Sequence, residues 1–231
     1  MTVSVFLPMR AGSARVRDKN SRPFLKSGDS LFQLKMRAVV DLAKMDAIEE
    51  VVISTNDRCI IEQASEFSGG KIKVLERPGE LCLSTTKVVD LINYVPSVCK
   101  GDHIFWLHVT SPFFGFEEYK QALEMYFQAI SDGQFDSLMS VNEIRQFIWD
   151  DSKKEVINVD RRVNRWPNTQ DIAPLYEINH AFYIASRLVY QGLNDRIGES
   201  PKLFICDGLL KMDIDWEEDF RVAKLIADSV L

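Results

Sequence analysis

Val3-Ser-Val-Phe-Leu-Pro-Met-Arg-Ala-Gly-Ser-Ala-Arg-Val-Arg-Asp-Lys-Asn20 lies near the start of a 231-residue chain, and its reading decides the fold. Val3–Pro8 is a short apolar run rich in β-branched residues, the signature of a buried strand. A polar, basic turn follows it. Leu31–Met45 then carries Leu31, Leu34, Ala38 and Leu42 on one helical face, with Ser30 placed to cap it. The same alternation continues downstream. Strands are expected at Glu50–Thr55, Ile72–Leu75 and His103–Val109, and helices at Asp57–Phe67, Thr86–Cys99 and Phe116–Ile130. Strand–helix alternation at this spacing predicts βαβ units in an open, mostly parallel α/β sheet with helices on both faces.

The pattern changes after Asp136. Asp136–Val141 and Val156–Val159 read as strands, Asp160–Pro174 is polar and basic with two prolines, and Ala181–Ala185 resumes as a core strand. Residues 142–178 therefore read as an excursion from the sheet, a small inserted dimerisation arm. Trp216 to Val230 is expected to close the chain as an amphipathic helix. No repeat or linker divides the sequence, so 1–231 reads as a single domain.

Composition narrows the function. The chain carries 28 Lys+Arg against 34 Asp+Glu, a net charge of −6, and 46% hydrophobic residues. An acidic chain without an extended basic tract is poorly suited to nucleic-acid backbones or anionic membranes. No apolar run reaches the roughly 18–20 residues of a membrane span. The N-terminus reads as a strand rather than a signal peptide. Cys59, Cys82, Cys99 and Cys206 form no C-x-x-C pair, so reduced thiols in a cytoplasmic compartment are expected. His103, His108 and His180 show no zinc-type spacing.

Within this acidic chain, Arg10, Arg15, Arg17, Lys19 and Arg22 face Asp18 alone, a local charge of +4. The segment follows the first strand, at the carboxyl end where open α/β sheets bind ligands. Gly12 and its small neighbours let backbone N–H groups approach a polyphosphate whose charge Arg and Lys can share. The spacing fits neither G-x-x-x-x-G-K-[ST] nor G-x-G-x-x-G. Charge alone favours a solvated loop, and the position after strand one brings the ligand-binding reading level with it. Asp213 and Asp215 alternate in an extended segment and so can share one Mg²⁺. Asp215-Trp-Glu-Glu218 reads equally as a capping box, with Asp215 as N-cap and Glu218 three residues on. Arg77-Pro-Gly-Glu-Leu81 alone reads as an ordinary β–α loop. His108, at the end of a central strand, is a core histidine or a ligand-facing one.

Taken together these segments resemble the acylneuraminate cytidylyltransferases (CMP-sialic acid synthetases) of the nucleotide-diphospho-sugar transferase superfamily, with CMP-Kdo synthetases more distant. Leu7–Asn20 is similar to that family's I-P-A-R-G-G-S-K-R-I-P-R-K-N loop, and Arg77–Leu81 to R-P-A-E-L. Leu107–Pro112 is similar to L-Q-P-T-S-P, Asn179–Ile184 to N-G-A-I-Y-I, and Asp213–Asp215 to the metal-binding D-x-D. The resemblance implies a Rossmann-like sheet, and CTP held by Arg10, Ala11, Gly12, Ser13, Arg15, Lys19, Asn20, Arg77 and Ser84. It also implies Mg²⁺ on Asp213 and Asp215, with Arg10, Lys19 and Asp213 as the catalytic set. His108, Thr110, Ser111, Arg165, Gln170, Tyr176 and Asn179 would meet the acceptor, and a homodimer would complete the site. The implied reaction is attack of an acid sugar's anomeric 2-hydroxyl on the α-phosphorus of CTP, releasing pyrophosphate.

The departures fall on the acceptor half. His108 stands where the family has a sialate-contacting Gln, Phe114 where P-L-R would supply an arginine, Thr169 for the arginine of R-Q-D-L-P, and Glu177 at a position that can be basic. Arg161, Arg162 and Arg165 lie close upstream and could take over the anion contact. The expected acceptor is acidic and need not be sialic acid; a Kdo-like sugar or a phosphonate fits as well. Two other classes compete. A glycosyltransferase also uses D-x-D, though after a mid-chain strand, and a non-catalytic nucleotide-binding protein would keep the loop without turnover.

Overall fold

The computed structural model describes residues 1–231. Five strands and four helices build the first half and frame of the sheet: β1 (Val3–Pro8), α1 (Leu31–Ala43), β2 (Ile48–Thr55), α2 (Arg58–Ser65), β3 (Ile72–Glu76), α3 (Val88–Val98), β4 (His103–Leu107), α4 (Phe116–Ser131) and β5 (Ser137–Ile144). A two-residue hairpin, β6 (Trp149–Asp150) and β7 (Glu155–Val156), stands apart. The chain ends with β8 (Leu175–Ser186), α5 (Arg187–Leu193), β9 (Pro201–Cys206) and α6 (Glu217–Val230). Seven strands form one sheet in the order β3-β2-β1-β4-β8-β5-β9, and only β8 runs antiparallel to its neighbours. The expected mostly parallel α/β sheet is thus the observed one.

Apolar residues of α1, α2, α4 and α6 pack on one face of the sheet, and those of α3 and α5 on the other. Every residue of β4 is buried, as a strand covered on both faces must be. Ser30 caps α1 as its sequence promised: its hydroxyl accepts from Gln33 N at 3.2 Å while the Gln33 side chain accepts from Ser30 N at 2.9 Å. After β3 the chain crosses to β4 on the far side of β1, so the strand order reverses between β1 and β4. The carboxyl ends of those two strands therefore flank the switch point where such sheets hold ligands.

Three expectations need correction. The excursion is shorter than 142–178, because β5 runs to Ile144 and β8 begins at Leu175, paired residue by residue at this end. Beyond the last pairings of β9 and β4 these strands continue as a two-stranded ribbon, which carries residues 145–174 past the carboxyl end of the sheet. Val156–Val159 is not a strand: pairing stops at Val156, and Asn158 is instead buried with its amide donating to Gln146 O at 2.6 Å and its Oδ1 accepting from Ile148 N at 3.0 Å. The last helix starts later than expected. Trp216 is its N-cap, and Asp219 rather than Glu218 closes the box, accepting from Trp216 N at 2.7 Å. That releases Asp215 from capping.

Candidate active site

The loop after β1 is held from three sides. Asn56, at the end of β2, accepts from Ala11 N through Oδ1 at 3.0 Å. Arg10 donates to Leu83 O at 2.7 Å, which draws the 82–86 segment, and Ser84 with it, against the loop. Gly12 makes the bend with φ +71°, a conformation costly for any residue with a Cβ. On the third side Lys19 donates to Ile214 O at 2.7 Å, and Arg15 pairs with Asp215 at 2.8 Å and lies over the Trp216 ring. Arg22 grips Glu217 at 2.9 Å and stacks on Phe220. The basic loop and the acidic pair, about 200 residues apart in sequence, are therefore one structure.

Asp213 and Asp215 flank Ile214, which is fully buried and whose N–H donates to Thr110 O at 3.0 Å. The extended segment thus sends its two carboxylates to the same side, as the alternation predicts. Asp213 Oδ1 is buried and has no hydrogen-bond partner. Burial pushes the Asp213 carboxyl above its ordinary value; the Asp215 charge adds to this, while Thr110, Lys19 and His180 pull it down. A buried carboxylate oxygen without a donor is what a divalent cation satisfies, and two carboxylates with an open side fit Mg²⁺. No group of three or more His, Cys, Asp or Glu side chains is arranged to hold a metal ion, so the remaining ligands of such an ion would be water or oxygens of a bound ligand.

Two cavities open along this seam. One of about 160 Å³ is lined by Arg10, Ser13, Lys19, Asn20, His108 and Thr110. The other, of about 320 Å³, is lined by Asn142, Glu177, Asn179, His180, Asp213 and Asp215. Between them lies an aromatic and imidazole wall. His108 stacks on Trp106 with ring centroids 6.0 Å apart, and the His180 ring lies 6.2 Å from it. His180 has φ +59°, a left-handed position at which the resembled motif has glycine, and it sits where β8 bulges against β5. Its Nδ1 shares a 2.6 Å hydrogen bond with the Tyr183 hydroxyl. Arg196 covers the wall: only 8% exposed, its guanidinium lies 3.8 Å from the Tyr183 centroid and 4.7 Å from that of Trp106, and Nη1 reaches His108 Nε2 at 3.3 Å. No carboxylate pairs with it.

The structure brings together Arg10, Ser13, Arg15, Lys19, Asn20, His108, Thr110, Asp213 and Asp215, with Ala11 and Gly12 in the backbone of the loop. Ser111 is buried just behind them with its hydroxyl unpartnered. Arg77 is buried and spends its guanidinium on Ser54, with Nε to Oγ at 3.2 Å and Nη2 to the carbonyl at 2.6 Å; it supports the ends of β2 and β3 and lines neither cavity. Asn179 lines the larger cavity, but its amide is committed to Asn142 at 3.0 Å and Cys206 at 2.9 Å. Arg165, Gln170 and Tyr176 are exposed on the arm and its ribbon, outside both cavities of this chain.

Within this chain the neighbouring arginines stay with the arm, away from both cavities. Arg162 pairs with Asp160 at 2.9 Å and Arg161 lies over Trp166, both beside a separate 690 Å³ cavity within the arm. Sequence reading missed Asn56, Lys35 and Arg196. Lys35, on α1, is 1% exposed, and its ammonium donates to Ser111 O at 2.8 Å and Phe114 O at 3.2 Å, fixing the segment that follows Thr110. The one available signal was a lysine beside the apolar face of a helix. Arg196 gave none, because its partners come from β4 and β8.

Comparison with known proteins agrees with the fold. The chain matches the cytidylyltransferase family over residues 4–208. Among solved structures it is similar to CMP:2-keto-3-deoxy-manno-octonic acid synthetase complexed with CTP, with a TM-score of 0.66 and 15% identity over 100% of both chains. It is similar to 4-diphosphocytidyl-2C-methyl-D-erythritol synthase from Anaerococcus prevotii, with a TM-score of 0.64 and 15% identity over 98% of this chain and 96% of that one. HddC from Yersinia pseudotuberculosis follows with a TM-score of 0.55 and 14% identity over 98% and 100%. At these identities the likeness establishes the fold. No curated protein matches the sequence. No helix is long and apolar enough to cross a membrane.

Proposed function

This chain belongs to the cytidylyltransferase family, nucleotidyltransferase enzymes that use CTP, and on that premise we propose that its acceptor is an acidic sugar. The proposed reaction joins CMP to the anomeric 2-hydroxyl of a sialic acid-like nonulosonic acid or a related keto-acid sugar. The hydroxyl oxygen bonds to the α-phosphorus of CTP, the α–β bridging bond breaks, pyrophosphate leaves, and the hydroxyl proton is lost to solvent. The observation that carries the reading is the joining of the basic loop to the D-x-D by Lys19–Ile214 and Arg15–Asp215, with one Asp213 oxygen left unpartnered.

In this reading Arg10, Ser13, Arg15 and Lys19 hold the triphosphate, and Asn20 supports it. Asp213 and Asp215 would hold Mg²⁺, which supplies neutralisation of the charge that develops on phosphate oxygens. Little covalent work falls to the protein; alignment and charge neutralisation carry the rate. His108, His180 and Thr110 stand on the acceptor side. Exposed Val163 and Trp166 on the arm, beside Arg165 and Gln170, support assembly as a homodimer in which each arm reaches its partner.

The test is pyrophosphate release with CTP and Mg²⁺ across a panel holding N-acetylneuraminate, 2-keto-3-deoxy-manno-octonic acid, a phosphonate and neutral sugars. Turnover confined to the acidic members supports the proposal; turnover with a neutral sugar alone overturns it. Tight CTP binding without turnover on any member would favour a binding protein. A clear preference for N-acetylneuraminate would overturn the expectation, drawn from the altered acceptor residues, that the acid need not be sialic acid. Light scattering tests the assembly, for which a monomer at assay concentration is the contrary result.

A further inference from the structure

Arg196 is an arginine with 8% exposure and no carboxylate partner, stacked on two aromatic rings at the end of the sheet where the ligand cavities open. Burial of an always-charged group without a counter-ion is expensive. Stacking on Tyr183 and Trp106 offsets part of that cost. Its guanidinium Nη1 donates to His108 Nε2 at 3.3 Å.

A guanidinium can only donate, so His108 Nε2 must accept. The ring's proton is then on Nδ1. His108 lines the same 160 Å³ cavity as Arg10, Ser13 and Lys19, and its Nδ1 makes no hydrogen bond within the chain. Burial holds the His108 pKa well below the usual histidine range, and the facing groups Arg196, His180, Lys19 and Lys35 push it the same way. The imidazole is therefore a neutral donor beside the fixed charge of Arg196.

We propose that Arg196 is a positioning residue that fixes His108 as the Nδ1–H tautomer, and that this N–H donates to the acid group of the acceptor. The inference rests on the acidic-acceptor reading above and adds the pair of residues that recognises the acid. Arg196 itself does not touch the acceptor. It sets the hydrogen on the ring and supplies a positive field behind it, which an acid group at the cavity would share.

Histidine labelled with ¹⁵N reports the tautomer directly, and loss of signals in His108→Gln assigns the ring. Wild-type His108 should show a protonated Nδ1 and a bare Nε2. Arg196→Met should shift the ring toward the Nε2–H form, and Arg196→Lys, which keeps a donor-only group, should restore it. In turnover with CTP and 2-keto-3-deoxy-manno-octonic acid or N-acetylneuraminate, Arg196→Met should raise the KM for the acid about tenfold, as loss of a charge-assisted contact implies. The KM for CTP should stay within about twofold, and Arg196→Lys should recover most of the loss.

A wild-type ring protonated on Nε2, or an effect that falls on the CTP KM instead of the acid, overturns the proposal. Should Arg196→Met fail to fold, the wild-type tautomer and Arg196→Lys decide it. Turnover with neutral acceptors only would overturn the acidic-acceptor reading, and with it the acceptor's contact to His108. A wild-type Nε2–H ring in an enzyme that does use acids would overturn this inference alone.

Discussion

Lys35 offers the sharpest test of the packing behind the site. Its ammonium is buried among Ser111 O, Phe114 O and the Tyr119 hydroxyl, and lies over the Tyr119 ring at 4.8 Å. Burial brings its pKa down from 10.5 to about 7, with Asp213 and Glu118 pulling the other way. The Tyr119 hydroxyl is pushed well above its usual range by burial and stays a phenol throughout. Between pH 7 and 10.5 the unfolded chain therefore binds a Lys35 proton that the folded chain has released. Unfolding must then cost more as the pH rises through that window, and below pH 7, where both states hold the proton, the contribution is flat. Integrating the two titrations gives a gain of about 2 kcal/mol between pH 7 and pH 9.

Lys35→Met abolishes this contribution and also leaves two carbonyls without their donor, a loss of roughly 1–3 kcal/mol for each unsatisfied group. The variant's stability deficit should accordingly widen by about 2 kcal/mol from pH 7 to pH 9. Urea unfolding of both proteins, followed by the fluorescence of the four tryptophans at fixed ionic strength, measures it. A deficit that stays constant across this range would show that Lys35 keeps its ordinary basicity, and would refute the reasoning.

Two further outcomes follow from the acidic pair. Asp213→Ala should lower pyrophosphate release roughly a hundredfold or more while leaving thermal stability unchanged or slightly raised, because the carboxylate it removes is buried without a full set of partners; a melting point that falls with activity would point to a structural role. Arg15→Ala breaks an ion pair whose side chains are each 48% exposed, so stability should move by less than about 1 kcal/mol, whereas the KM for CTP should rise several-fold in initial-rate assays.

The sheet was legible where local chemistry and tertiary packing agree. The run Val3–Pro8, the capped face of α1 and the buried β4 each signal their state within a dozen residues. β9 escaped because Pro201–Cys206 starts with proline, sits at the sheet edge and buries only Phe204 and Cys206. α5 escaped because seven residues are too few to show a helical period. The cap of α6 was misplaced by one residue since Asp215, Glu217, Glu218 and Asp219 are all plausible first-turn acids. Packing chose Trp216 and Asp219, and with that choice Asp215 became free to pair with Arg15.

The acceptor half was hidden for a different reason. A basic loop advertises itself by proximity in sequence, whereas Arg196, Lys35 and His108 become one electrostatic unit only after β4, β8 and α1 are assembled. Arg196 joins Arg10, Arg15 and Lys19, four cationic side chains beside two carboxylates, in a chain whose overall charge is −6. Neutralising the carboxylates with a divalent ion would leave that excess intact. An enzyme of this family already brings one polyanion, CTP, to the loop after β1. Arg196 lies against the Trp106–Tyr183 face of the sheet instead, beyond the reach of the loop's own contacts, and a second anion beside His108 gives its charge a purpose that the nucleotide alone does not.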